Sequence, residues 1–251
     1  MIFKYIIVCP LVFLAGFVDA IAGGGGFISL PAFMLAGLPA HASIATNKVS
    51  SCMGSTVATY KYAKSGFIPW KLAVFSVPMA FIGSYLGSNL ALMLSDHTFK
   101  ILLMFIVPIT GAYVLMRKDF DVPDSEVPMS RQILCCMLIA LVIGVYDGFY
   151  GPGTGIFLIL FINLFAHIDL EHANGLTKAI NWTTNFSALI VFLINGQAEI
   201  VLGIVGGVFN MLGNYLGARQ FEKGGSKIAR PVILVVLIIF FIKLIYELFI
   251  K

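Results

Sequence analysis

Apolar runs about 20 residues long recur from one end of this chain to the other, and such runs have one common destination. A helix rises about 1.5 Å per residue, so about 20 apolar residues cross the hydrocarbon core of a bilayer. Runs of this kind occupy approximately 4–22, 42–62, 70–94, 99–116, 131–150, 172–194, 199–221 and 230–249. Of the 251 residues, 59% are hydrophobic and 11% charged, against about 25% charged in an ordinary soluble domain. Sixteen basic and 12 acidic side chains cannot coat so much apolar surface. A soluble enzyme and a disordered chain are excluded. The +4 net charge is no nucleic-acid footprint either, because the basic residues are dispersed over short loops. The fold class is all-α integral membrane, multi-pass, with membrane lipid as its surroundings.

Two further apolar stretches, 27–38 and 155–166, are only about half a membrane long. Each follows a break: Gly23-Gly24-Gly25-Gly26 in one case, Gly151-Pro152-Gly153-Thr154-Gly155 in the other. The N-terminal run has the look of a signal peptide, with Lys4, an apolar stretch and Ala20-Ile21-Ala22. The same pattern recurs at 141–155, where no cleavage signal acts, so the first run is expected to be part of the fold. The four cysteines and four histidines lack the spacing of a disulfide framework or a metal helix, and no cofactor motif is present.

The chain is internally duplicated. A shift of 128 pairs Gly16, Asp19, Gly23 and Gly25 with Gly144, Asp147, Gly151 and Gly153. A shift of 130 pairs Lys48 with Lys178, and Gly83-x-Tyr85-Leu86-Gly87 with Gly213-x-Tyr215-Leu216-Gly217. The expected organisation is a first membrane repeat over 1–116, a polar linker over 117–130 and a second repeat over 131–251. Lysine and arginine concentrate in cytoplasmic loops. Lys61, Lys64 and Lys71 lie in a first-half loop whose second-half counterpart has only Glu199, whereas Arg219, Lys223, Lys227 and Arg230 lie in a second-half loop whose counterpart has only Lys100. The bias changes sides, as it does when the halves are inverted. If each glycine break turns a re-entrant hairpin, each half adds about three transmembrane helices and nearly all basic residues fall inside.

Ionisable groups inside a bilayer cost about 2.5–3.5 kcal/mol each on insertion scales and mark function. Asp19 and Lys48, with Asp147 and Lys178, form two repeat-related sets. Thr46 and Asn47 flank Lys48, and Thr177 and Asn181 accompany Lys178, as in a polar cavity lining. Half-helices that begin at the breaks aim free N–H groups and the positive dipole end at their surroundings. The expected substrate-binding set is therefore Gly24, Gly25, Gly26, Thr46, Asn47, Lys48, Gly153, Thr154, Gly155, Thr177, Lys178 and Asn181, and it suits a small anionic substrate. Asp19 and Asp147 either pair and cap or carry a coupling proton. Trp70 fits the aromatic belt, and Trp182, one turn from Lys178, is a candidate pathway residue. Gly83, Gly87, Gly213 and Gly217 also fit simple close helix packing.

The run Gly16-Phe17-Val18-Asp19-Ala20-Ile21-Ala22-Gly23-Gly24-Gly25-Gly26, with Pro31 and Ala45-Thr46-Asn47-Lys48, resembles the signature of the TauE/SafE sulfite and organosulfonate exporters, also called toluene sulfonate uptake permeases (TSUP). Gly144-Val145-Tyr146-Asp147-Gly148-Phe149-Tyr150-Gly151-Pro152-Gly153 is similar to the same pattern, departing from it at Pro152 and Thr154. The resemblance implies a secondary carrier of sulfite, sulfonates or related anions in a plasma membrane, the inner membrane of a bacterium. An anion channel and a carrier of non-sulfur carboxylates are the alternatives.

Overall fold

The structure, a computed structural model, describes residues 2–94 and 127–225, together with 227–229, 231, 232 and 235. The expected spans at 99–116 and 230–249, and most of the 117–130 linker, lie outside the described residues. Eight helices are described: α1 (Ile2–Ala22), α2 (Gly26–Leu35), α3 (Ala40–Lys64), α4 (Trp70–Leu92), α5 (Met129–Phe149), α6 (Thr154–Ala166), α7 (Leu170–Ile194) and α8 (Ile200–Gly224). One order of long, short, long, long is followed by the same order again. The short members, α2 and α6, have 10 and 13 residues and follow the glycine breaks directly.

Four helices, α1, α4, α5 and α8, are long and apolar enough to cross a membrane. Their outer faces are apolar at helical spacing: Leu134, Leu138 and Val142 on α5, and Val201, Ile204, Val208 and Leu212 on α8, are all exposed. A soluble protein rarely leaves so continuous an apolar face to water, whereas acyl chains solvate it. The polar residues lie within. α3 and α7 have 25 residues each, and their buried positions include Ser43, Thr46, Asn47, Lys48 and Ser50 on one, and Asn174, Thr177, Lys178, Asn181 and Thr184 on the other. These two helices pack on each other and are flanked by the apolar ones. Runs 42–62 and 172–194 are therefore helices of spanning length that keep their polar faces away from lipid.

The largest interfaces join α4 to α5 and α1 to α8, and glycine creates both. A Cβ at Gly83 would lie 2.3 Å from the Leu141 carbonyl oxygen, and one at Gly87 would lie 2.0 Å from that of Val145. At the other interface, a Cβ at Gly213 would lie 2.0 Å from the Phe13 oxygen, and one at Gly217 would lie 2.4 Å from that of Phe17. Backbones approach this closely only where no side chain intervenes. These four glycines thus take the packing role.

Ion pairs fix the helix ends. Lys4 meets Glu199 at 3.3 Å, and Thr46 accepts the Glu199 N–H at 3.0 Å, so α1, the start of α3 and the start of α8 share one side. Lys61 meets Glu222 at 3.0 Å, which brings the ends of α3 and α8 together on the other. α2 packs Phe33 and Ala36 against Val8 and Val12 of α1. Likewise Gln132 near the start of α5 donates to the carbonyl of Ala166 at the end of α6 (3.0 Å).

Candidate functional site

A helix that stops inside a protein leaves its last carbonyls in need of donors. α1 stops at Ala22, where Gly23 turns to a φ of +76°. The three carbonyls before the turn are met by side chains from α3 and α7: the Lys178 ammonium donates to that of Asp19, the Tyr62 hydroxyl to that of Ala20 at 2.7 Å, and the Asn174 amide to that of Ile21 at 2.9 Å. At the second break, Lys48 donates to the Asp147 carbonyl at 2.7 Å and to its carboxylate at 2.9 Å. The arrangement is reciprocal: the lysine of each half meets the broken helix of the other. Both lysines are almost wholly enclosed, with 2% of Lys48 and none of Lys178 exposed.

The breaks abut. A Cβ at Gly23 would sit 2.4 Å from the backbone of Gly155, and one at Gly155 would sit 2.4 Å from Gly23. Gly26 faces Pro152 in the same way. Between them lies a polar cavity of about 30 Å³, enough for one or two water-sized guests.

Of the residues singled out from sequence, Asp19, Gly25, Gly26, Asn47, Lys48, Asp147, Thr154, Gly155 and Asn181 border this cavity. The remaining five do not. The Lys178 ammonium sits behind the α1 end, about 6.0 Å from the Tyr62 ring centre. Thr46 is occupied by the Glu199 N–H, and the Thr177 hydroxyl is buried without a hydrogen-bond partner. Gly24 and Gly153 belong to the turns themselves, Gly153 with a φ of +84°. Trp182 faces away as well, stacked on Phe186 and donating to the Thr56 hydroxyl at 2.9 Å.

Sequence reasoning missed Ser29, Ser51, Asn185 and Asn210, which also border the cavity. Ser51 and Asn185 stand one helical turn beyond Asn47 and Asn181, so extending each motif by four residues finds them. Asn210 pairs with Ala80 under the repeat and carries no such signal.

Two donors point into the cavity unspent. Asn47 and Asn181 are 9% and 7% exposed. Their side-chain oxygens accept from Ser51 and Asn185 respectively, while their Nδ2 groups have no partner among the described residues. The two acids differ sharply. The Asp147 carboxylate holds Lys48 and the Thr154 hydroxyl (2.8 Å). The Asp19 carboxylate accepts no hydrogen bond among the described residues: Gly26 stands where the second half has Thr154, and Lys178 goes to the Asp19 carbonyl instead.

The profile of the family described as Sulfite exporter TauE/SafE matches residues 8–244. A probable membrane transporter protein, ORF9, of Sinorhizobium sp is 34% identical over 235 residues, covering 94% of this chain and 90% of its own length. A probable membrane transporter protein of Haemophilus influenzae is 31% identical over 94% of this chain and 92% of its own. The probable membrane transporter protein YfcA of Escherichia coli is 31% identical over 93% and 87%. No solved structure matches.

Proposed function

The chain belongs to the sulfite exporter TauE/SafE family of multi-pass membrane transporters, and on that premise we propose that it is a secondary carrier that binds one small anion between two inverted repeats and exposes it to each side in turn. The observation that carries this reading is the cavity where the two breaks abut, with Lys48 and the unspent amides of Asn47 and Asn181 facing it. Half-helices α2 and α6 begin there and add the positive ends of their dipoles. The substrate contacts are Gly25, Gly26, Asn47, Lys48, Thr154, Gly155 and Asn181; Gly24, Thr46, Gly153, Thr177 and Lys178 support the breaks around them.

The small volume argues against a bulky organic anion, and the family description makes sulfite the first candidate. Re-entrant hairpins agree with the packing of α2 back along α1 and with Glu199 touching both Lys4 and Thr46. Inversion agrees with Lys61 and the α8 end lying together on the side that the positive-inside rule makes cytoplasmic.

Counterflow of ³⁵S-sulfite in proteoliposomes tests the proposal. Asn47→Ala and Asn181→Ala each remove one donor to a charged solute, about 1.5–3 kcal/mol, so exchange is expected to fall about 10- to 100-fold in protein that still elutes as a folded species. Unchanged exchange in both variants refutes the site. Flux without counterflow makes the protein a channel, and competition by thiosulfate, sulfoacetate, taurine and lactate ranks the substrates.

A further inference from the structure

The three ionisable groups that border the cavity, Lys48, Asp19 and Asp147, and Lys178 behind the α1 end make four that sum to zero charge, and an anion arriving alone leaves the site with an uncompensated negative charge. One of the four groups is free to correct this. Asp147 is 2% exposed and bound by Lys48 and by the Thr154 hydroxyl. Asp19 borders the cavity with a carboxylate that no described side chain satisfies. Lys178 reaches its backbone carbonyl rather than bonding its carboxylate.

Resting on the carrier reading above, we infer that Asp19 is a proton-binding site that loads together with the anion, while Asp147 is a fixed structural carboxylate, so that one proton accompanies each anion. The chemistry is a protonation without redox: a proton from water adds to the Asp19 carboxylate on one side and leaves to water on the other. The charged and titratable groups facing Asp19 are Lys178 from α7, Lys48 and Tyr62 from α3, and Asp147 from α5; α8 contributes the uncharged Asn210. Protonation also gives Asp19 an O–H to offer the anion, beside the Asn47 and Asn181 amides.

Two measurements test this, one of them without substrate. In an infrared titration of the purified protein, a carboxyl carbonyl stretch that appears on acidification of the wild type and of Asp147→Asn is expected to be lost in Asp19→Asn. Persistence of the band in Asp19→Asn overturns the assignment. In proteoliposomes at pH 7.5 outside and 8.5 inside, with the membrane potential clamped at zero and protein-free vesicles as blank, the wild type is expected to accumulate ³⁵S-sulfite up to about tenfold, the limit for one proton per anion across one pH unit. Asp19→Asn, whose amide imitates the protonated acid, is expected to lose the accumulation and to exchange at a rate no longer dependent on pH. Asp19→Glu is expected to restore both. Gradient-driven accumulation by Asp19→Asn overturns the proposal. Absence of any sulfite counterflow in the wild type instead overturns the substrate reading, and the infrared arm still decides the proton site.

Discussion

Lys48→Met isolates a buried ion pair. The ammonium and the Asp147 carboxylate are 2.9 Å apart with side chains 2% and 3% exposed. Removing the lysine leaves a buried carboxylate with the Thr154 hydroxyl as its remaining partner, and leaves the Asp147 carbonyl without its 2.7 Å donor. Losing one member of such a pair costs about 3–5 kcal/mol. At about 2–4 °C per kcal/mol for a chain of this size, the melting temperature should fall by roughly 6–20 °C. Lys48→Met combined with Asp147→Asn removes both charges and keeps only the unmet carbonyl, a cost of about 1–3 kcal/mol. The double variant should therefore melt above Lys48→Met, by the equivalent of about 2 kcal/mol. A thiol-reactive dye reads the transition, because Cys136 in α5 is wholly buried until the bundle opens. If the two single effects add to within about 0.5 kcal/mol, the pair is not the clamp described, and the reasoning from burial fails.

Tyr62→Phe removes the donor to Ala20 and the oxygen 3.0 Å from the Asn174 amide while leaving the ring stacked on Phe221; it should destabilise the protein by about 1–3 kcal/mol, read by the same melt. Gly87→Ala places a methyl 2.0 Å from the Val145 oxygen and should cost about 1–3 kcal/mol or more, whereas Ala at Gly206, whose nearest neighbours are side-chain atoms at 3.5 Å, should be tolerated; comparing the yield of monodisperse protein in detergent separates the two.

Local chemistry was legible in the sequence, and partnership was not. Helices begin at Gly26 and Thr154, where the breaks predict half-helices, because glycine conformational freedom is a local property. The stretch expected over 27–38 ends at Leu35, and Gly37 takes a φ of +89°. Runs 42–62 and 172–194 have the length of spans but not the apolar character of α1, α4, α5 and α8; that their serines, threonines and asparagines face inward depends on which neighbours cover them. The same limit applies to the lysines. Each has an acid in its own half, yet Lys48 bonds Asp147, 99 positions away, and Lys178 meets Asp19, 159 positions away. No spacing encodes that exchange. Lys178 also shows how a buried charge misleads: it is conspicuous for lying in a span, and its ammonium is consumed by a helix end rather than exposed to the cavity.

The exchange bears on which parts can move. Alternating access is often described as one repeat rocking against the other, and in the duplication expected from sequence α1 to α4 belong to the first half and α5 to α8 to the second. The tightest contacts run across that division. Gly213 and Gly217 hold α8 against α1, and Gly83 and Gly87 hold α4 against α5, at separations that leave no space for a methyl group. Sliding either pair requires lifting backbone off backbone. The end of α1 is further tied to α7 by Lys178 and Asn174, and the end of α5 to α3 by Lys48. The stiff units are thus α1 with α8 and α4 with α5, each assembled from both halves. α3 and α7 lie between them and are joined by side-chain bonds rather than by glycine: the Thr59 hydroxyl donates to the Lys178 carbonyl at 3.0 Å, the Trp182 ring to the Thr56 hydroxyl at 2.9 Å and the Asn174 amide to the Tyr62 hydroxyl at 3.0 Å. For the proposed carrier, a motion that parts α3 from α7 breaks the bonds of Thr59 and Trp182 and passes beside Asn47 and Asn181, the residues whose amide groups stand unspent.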